Sequence, residues 1–211
     1  MKVLVLTGPE SSGKSWLASE LQAHFGGIQV GEYVRHFIEQ QGRDTCLADI
    51  PEIARGQLAW EDQTRAQQPG LLILDTHLLS NQLWSQTLFG DCPPWLEPQL
   101  LARHYDLHLL LSPEDVAWSD DGQRCQPQLA ERLAFFELPA IGWSNTASRT
   151  ASLAATGKPA GNRPSSRSGN CCKRDRCSAA GPQVSIPETP AWPSGRHFPR
   201  WRPRPGKLLS P

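Results

Sequence analysis

Residues 1–138 predict an α/β architecture, a parallel sheet with helices on both faces, and three observations carry that expectation. Short aliphatic runs alternate with longer amphipathic stretches, the pattern of βα units. The runs are apolar almost throughout rather than alternating with polar residues, as strands buried on both sides require. The first run leads straight into a glycine-rich turn that opens a helical stretch.

In order, residues 2–7 are β-branched and Leu-rich and read as a buried strand, followed by the turn 8–15 and a helix to about His24. Residues 28–30 form a second short strand, ending at Gly31-Glu32. Helices follow at 33–41 and 51–67, with Pro51 suited to a first turn. Residues 71–75 are a third strand, apolar until it closes on Asp75. Helices at 79–88 and 95–104 are separated by Pro93-Pro94, and residues 107–111 give a fourth strand. A polar loop at 118–126 precedes an amphipathic helix at 127–137.

After Leu138 the pattern stops. The whole chain of 211 residues has zero formal charge, but residues 1–138 hold 9 Lys and Arg against 19 Asp and Glu, a balance of −10. Residues 139–211 hold 12 basic residues against only Asp175 and Glu188, a balance of +10. This segment also contains 11 of the 19 prolines, with 7 glycines and 10 serines, and few aliphatic residues. Too little apolar surface is present to offset an ordering entropy of about 1–2 kcal/mol per residue, so disorder is expected there. Arg196, Arg200, Arg202 and Arg204 interleave with Trp192, Phe198 and Trp201, a superficial match to nucleic-acid binding that is not the favoured reading. Cys171-Cys172 and Cys177 lack a C-x-x-C pair, so zinc is not expected. Enrichment in Arg, Pro, Ser, Ala, Gly, Cys and Trp is what a GC-rich gene gives in a wrong frame. The expectation is therefore a frameshift near Glu137-Leu138 that replaced the native C-terminus. Translating the other two frames downstream of codon 137 checks it.

No run of about 18 apolar residues exists, and the N-terminus lacks a signal peptide's apolar stretch and cleavage site. Cys46, Cys92 and Cys125 are scattered, which suits a reduced, cytoplasmic setting.

The chemistry concentrates in Gly8-Pro9-Glu10-Ser11-Ser12-Gly13-Lys14-Ser15, a complete Walker A pattern between a strand and a helix. Such a loop converges backbone N–H groups on phosphate oxygens at a helix N-terminus. Lys14 is expected to bridge the β- and γ-phosphates of ATP, and the Ser15 hydroxyl to ligate Mg²⁺. The fold class thus narrows to a P-loop NTPase or kinase-like sheet. Asp75 holds the position of a Walker B carboxylate for the same metal. Glu32, at the edge where open parallel sheets bind ligands, is placed to take a proton from an acceptor hydroxyl, with Asp75 the alternative base. Arg35, one turn on, faces substrate or phosphate; the alternative is a Glu32–Arg35 ion pair at a helix start. Trp118-Ser119-Asp120-Asp121-Gly122-Gln123-Arg124 has the make-up of a lid whose Arg124 neutralises the transferring group, or of an ordinary surface turn.

Together, the phosphate loop, Glu32-Tyr33-x-Arg35, Gly56-Gln57, Asp75-Thr76 and Trp118-x-Asp120-Asp121-Gly122-x-Arg124 resemble bacterial ribosylnicotinamide kinase domains and their P-loop relatives, over residues 1–137. The resemblance implies ATP- and Mg²⁺-dependent phosphorylation of nicotinamide riboside, a small-molecule acceptor, in NAD salvage. It implies acceptor contacts from Glu32, Tyr33, Arg35 and Trp60, with Trp60 alternatively a core residue. Such kinases often read Trp-Glu-Tyr where this chain has Gly31-Glu32-Tyr33, and Asp-Thr-Asp where it has Asp75-Thr76-His77. The rival expectation is an ATP-binding or ATPase regulatory protein without kinase activity.

Overall fold

The structure, a computed structural model, describes residues 1–114, 116–142 and 149–153. Five strands, β1 (Lys2–Thr7), β2 (Ile28–Val30), β3 (Leu71–Asp75), β4 (Leu107–Leu111) and β5 (Arg149–Leu153), form one sheet in the order β2-β3-β1-β4-β5. Every pairing is parallel. The helices are α1 (Lys14–Phe25), α2 (Tyr33–Gln41), α3 (Ile50–Ala66), α4 (Leu78–Phe89), α5 (Leu96–Leu101) and α6 (Leu129–Gly142). A 3₁₀ turn at Leu47–Asp49, which the sequence pattern did not reveal, leads into α3.

Strand residues divide between two cores by parity. Val3, Val5, Leu72 and Leu74 face one side, where α2 to α6 contribute Phe37, Ile53, Leu78, Leu96 and Phe135. Leu4, Leu6, Ile73, Leu109 and Leu111 face the other, against Ala18, Leu17 and Leu21 of α1. Both faces of the sheet are thus covered by apolar cores, which explains the largely aliphatic strand runs. Parallel pairing also aligns the strands' carboxyl ends: Leu6 lies opposite Asp75, Val30 opposite Leu74, and Thr7 opposite Leu110. The segments that follow β1, β2 and β3 therefore emerge along one edge, where open α/β sheets bind ligands.

Helix α5 ends at Leu101 rather than continuing to His104. Asp106 is the reason, because its carboxylate accepts from Lys2 Nζ at 2.7 Å and Val3 N at 2.8 Å. Its own N–H donates to Val3 O at 2.9 Å, which draws the chain out of the helix and into β4.

One expectation is corrected. The strand–helix pattern does not stop at Leu138: α6 runs to Gly142, and β5 pairs with β4 from Leu107↔Arg149 to Leu111↔Leu153. Arg-Thr-Ala-Ser-Leu carries little apolar signal, but a ladder needs only backbone N–H and C=O groups, which the edge of β4 supplies. The remaining tail features, including the arginine–aromatic interleaving and Cys171, Cys172 and Cys177, lie outside the described residues. Among the described residues no helix is long and apolar enough to cross a membrane.

Candidate active site

The turn between β1 and α1 is shaped by its backbone. Gly8 has φ of +149°, and a Cβ there would lie 2.6 Å from Leu111 O, so only glycine lets the loop pass the end of β4. Gly13 caps α1 in the left-handed region. Ser12 Oγ donates to Pro9 O at 2.8 Å, closing the loop on itself. Lys14 is buried, and its ammonium donates to Gly8 O at 3.0 Å and Pro9 O at 2.7 Å. Burial pulls its pKa down, opposed by the nearby Glu32 and Asp75 carboxylates.

Asp75 is 3% exposed at the end of β3. Burial first, then the charge of Glu32, push its pKa up to about 6, while Lys14 and a hydrogen bond from Ser15 act in the opposite direction. Its Oδ1 is buried without a protein hydrogen-bond partner. Thr76, next in the chain, has φ of +78°, a left-handed conformation that strains a β-branched residue. His77 is fully buried among Tyr105 and His108, with ring centroids 4.9 and 5.2 Å away. Burial holds its pKa well below the ordinary histidine value, so the ring is neutral there.

Glu32 and Arg35 form the ion pair given above as the alternative, at 2.6 Å, but Arg35 also reaches beyond it. Its guanidinium donates to Asp121 at 2.9 Å and Gln123 at 3.5 Å in the 118–126 segment. Arg124 meets the same Asp121 at 3.2 Å and donates to Ser119 O and Oγ, both at 2.7 Å. Asp121 thus gathers two arginines from distant parts of the chain, and its pKa is lowered by them against the effect of burial.

Tyr33 is buried rather than open to the edge, and Trp60 is partly buried against it, their rings 4.9 Å apart. His36 lies 5.5 Å from Trp60. The two alternatives for Trp60 are therefore not exclusive: it packs on the core cluster beside the Glu32–Arg35 helix. Gln57 ties this wall to the edge, accepting from Tyr33 N at 2.8 Å and donating to Gly31 O at 3.1 Å.

Three participants were not singled out from sequence. Asp121 stood in the lid motif without a role, and nothing distinguishes it from Asp120 until Arg35 is brought across. Arg132 of α6 is 4% exposed and looks like a routine helix arginine in the sequence. The third is the side chain of Glu10, named there only as a loop position. Its carboxylate accepts from Trp118 Nε1, Cys125 N and Gln126 N, all outside the loop.

This arrangement, a phosphate-loop sheet with paired carboxylates at its edge and an arginine-bearing segment alongside, is kinase-like. The Trifunctional NAD biosynthesis/regulator protein NadR of Salmonella typhimurium is 26% identical over 142 residues, covering 65% of this chain and 34% of that protein. Its Escherichia coli counterpart is 25% identical over 142 residues, with the same coverage. The chain thus spans about a third of the length of the curated relatives it matches. Among solved structures, NadR in complex with NR aligns at a TM-score of 0.60 and 21% identity, covering 74% of this chain and 46% of that one. NadR in complex with NAD and AMP-PNP aligns at 0.57 and 19%, covering 74% and 44%. These structures share the fold, a P-loop kinase-like sheet. A family model described as an AAA domain (AAA_28) matches residues 3–150, most of the chain and past the end of α6, and the chain accordingly belongs to that family.

Proposed function

We propose that the chain is an ATP-dependent small-molecule kinase that transfers the γ-phosphoryl group to a hydroxyl of a nucleoside-like acceptor, with nicotinamide riboside the acceptor of choice. The observation that carries the reading is the convergence of Lys14, Asp75 and Glu32 at one sheet edge, with Arg35 and Arg124 brought to Asp121 beside it. The names of the NadR relatives and of the complex with NR point the acceptor toward NAD biosynthesis.

In this reading the backbone of residues 8–15 cradles the triphosphate, and Lys14 exchanges its two carbonyl partners for β- and γ-phosphate oxygens. The oxygen donors of Ser15 and the orphaned Asp75 Oδ1 suit Mg²⁺, which would neutralise phosphate charge. With Asp75 turned to Ser15 and the metal side, Glu32 accepts the acceptor's proton at Oε1, its Oε2 being held by Arg35. The hydroxyl oxygen bonds to the γ-phosphorus, the bond to the bridging oxygen of ADP breaks, and the proton passes to Glu32. Arg35 and Arg124 hold the transferring charge, and Trp60, backed by the buried Tyr33, walls the acceptor side. ATP and reduced thiols make the cytoplasm the fitting setting.

The test is ADP release by the purified full chain with ATP and Mg²⁺, with and without nicotinamide riboside. Release should depend on the acceptor and yield its monophosphate, and Lys14→Ala should lower the rate by at least about 100-fold. Equal release with and without nicotinamide riboside or other nucleosides would favour an ATPase or sensor instead.

A further inference from the structure

A glutamate inside a phosphate-binding loop is electrostatically awkward, since its charge repels the polyphosphate the loop serves. Here the Glu10 carboxylate is engaged by partners outside the loop. Oε1 accepts from the Trp118 indole N–H at 2.8 Å and from Gln126 N at 2.6 Å, and Oε2 accepts from Cys125 N at 3.0 Å. These partners lie more than 100 residues away in sequence, at both ends of the 118–126 segment. The Arg132 guanidinium adds a favourable charge for Glu10 and donates to Val116 O at 3.4 Å, just before the same segment.

The bonds to Cys125 and Gln126 adjoin Arg124, the arginine that meets Asp121. We propose that Glu10 is a positioning residue: its carboxylate latches residues 118–126 to the phosphate loop and so fixes the base of Arg124 over the transfer site. The role rests on the kinase reading. It gives the loop's glutamate a function that its backbone alone does not require, because binding phosphate through N–H groups places no demand on the side chain. It also makes loop and lid one unit, so a rearrangement of the loop around bound triphosphate moves Arg124 with it.

The experiment uses the full chain with Glu10→Ala, Glu10→Gln and Trp118→Phe. Site-resolved amide hydrogen exchange at Cys125 and Gln126 reads the latch directly, and fluorescent ATP-analogue binding reads the loop. In Glu10→Ala the two amides should exchange at least about 10-fold faster, since each loses a charge-assisted bond. Nucleotide affinity should change by less than about 3-fold, while kcat falls about 10- to 100-fold. Glu10→Gln, which keeps one acceptor oxygen, should fall between, and Trp118→Phe should show the milder effect of one lost bond in a fold it leaves intact. Unchanged exchange at both amides in Glu10→Ala would overturn the latch. So would a kcat loss fully matched by lost nucleotide affinity, which would make Glu10 part of phosphate binding instead. A wild-type chain without acceptor-dependent turnover would sink the kinase reading alone, because the exchange measurement needs no catalysis.

Discussion

Asp75 is held where ionisation is opposed, and that sets a conflict between stability and use. Its pKa in the folded chain is about 6, against 3.8 as the ordinary value. Between these values the folded state keeps a proton that the unfolded state has lost, so stability falls as pH rises through that window and stays lower above it. Asp75→Asn removes the penalty. Thermal melts without nucleotide or metal should show the variant more stable at pH 7.5 by about 3 kcal/mol, a rise of roughly 6–12 °C, with most of the gain lost at pH 4. The same variant should lose at least about 100-fold in activity. A variant no more stable than the parent at pH 7.5 would mean Asp75 is not under this strain. Lys14, Ser15 and Asp75 were legible in the sequence because strand, glycine loop and strand-end carboxylate each leave a local signature. The engagement of Glu10 outside the loop was not, because its partners at 118, 125 and 126 are adjacent only in space. Trp60 shows an intermediate case, since packing on Tyr33 and lining a ligand wall call for the same side chain.

Helices α2 and α3 approach more closely at Gly56 than any residue with a side chain permits. A Cβ there would sit 2.2 Å from the Tyr33 ring, so the glycine is a packing requirement in the middle of α3 despite its helix cost of about 1 kcal/mol. The ring is held from the other side by Trp60, and Tyr33 N by Gln57, so the Gly56-Gln57 pair is the seat of the helix that carries Glu32 and Arg35 at its start. Gly56→Ala should therefore destabilise by about 1–3 kcal/mol through overpacking, read in urea unfolding. It should also raise the acceptor KM more than the ATP KM, because α2 shifts while the phosphate loop does not. Equal effects on both would detach this contact from the acceptor side. Element order and type were readable from apolar runs and turn residues, whereas the early end of α5 was not: Asp106 binds Lys2 and Val3, a contact that no window of sequence contains.

Across the whole molecule the sheet is asymmetric. Among the described residues the α1 face carries one helix, and β4 would be the sheet's outer strand on that side without β5, so the five residues Arg149–Leu153 decide whether β4 has a paired edge. An unpaired parallel strand of Leu107-His108-Leu109-Leu110-Leu111 presents a mostly apolar edge with open N–H and C=O groups, the kind that recruits other chains. The ladder between β4 and β5 replaces backbone hydration with net gains of about 0.5–1.5 kcal/mol per bond, reduced by the entropy of ordering the strand. A chain ending at Ser148 should therefore melt several degrees below one ending at Leu153, at roughly 2–4 °C per kcal/mol, and should aggregate on light scattering at concentrations where the longer chain stays monodisperse. ATP-analogue binding by the shorter chain should survive at low temperature, since β1, β3 and the phosphate loop lie on the other side of β4. Identical melting and scattering for the two would show that β4 is closed by something other than β5. The charge split at Leu138 and the proline-rich composition hid this strand in the sequence, because a backbone ladder onto an existing edge asks almost nothing of the side chains that form it.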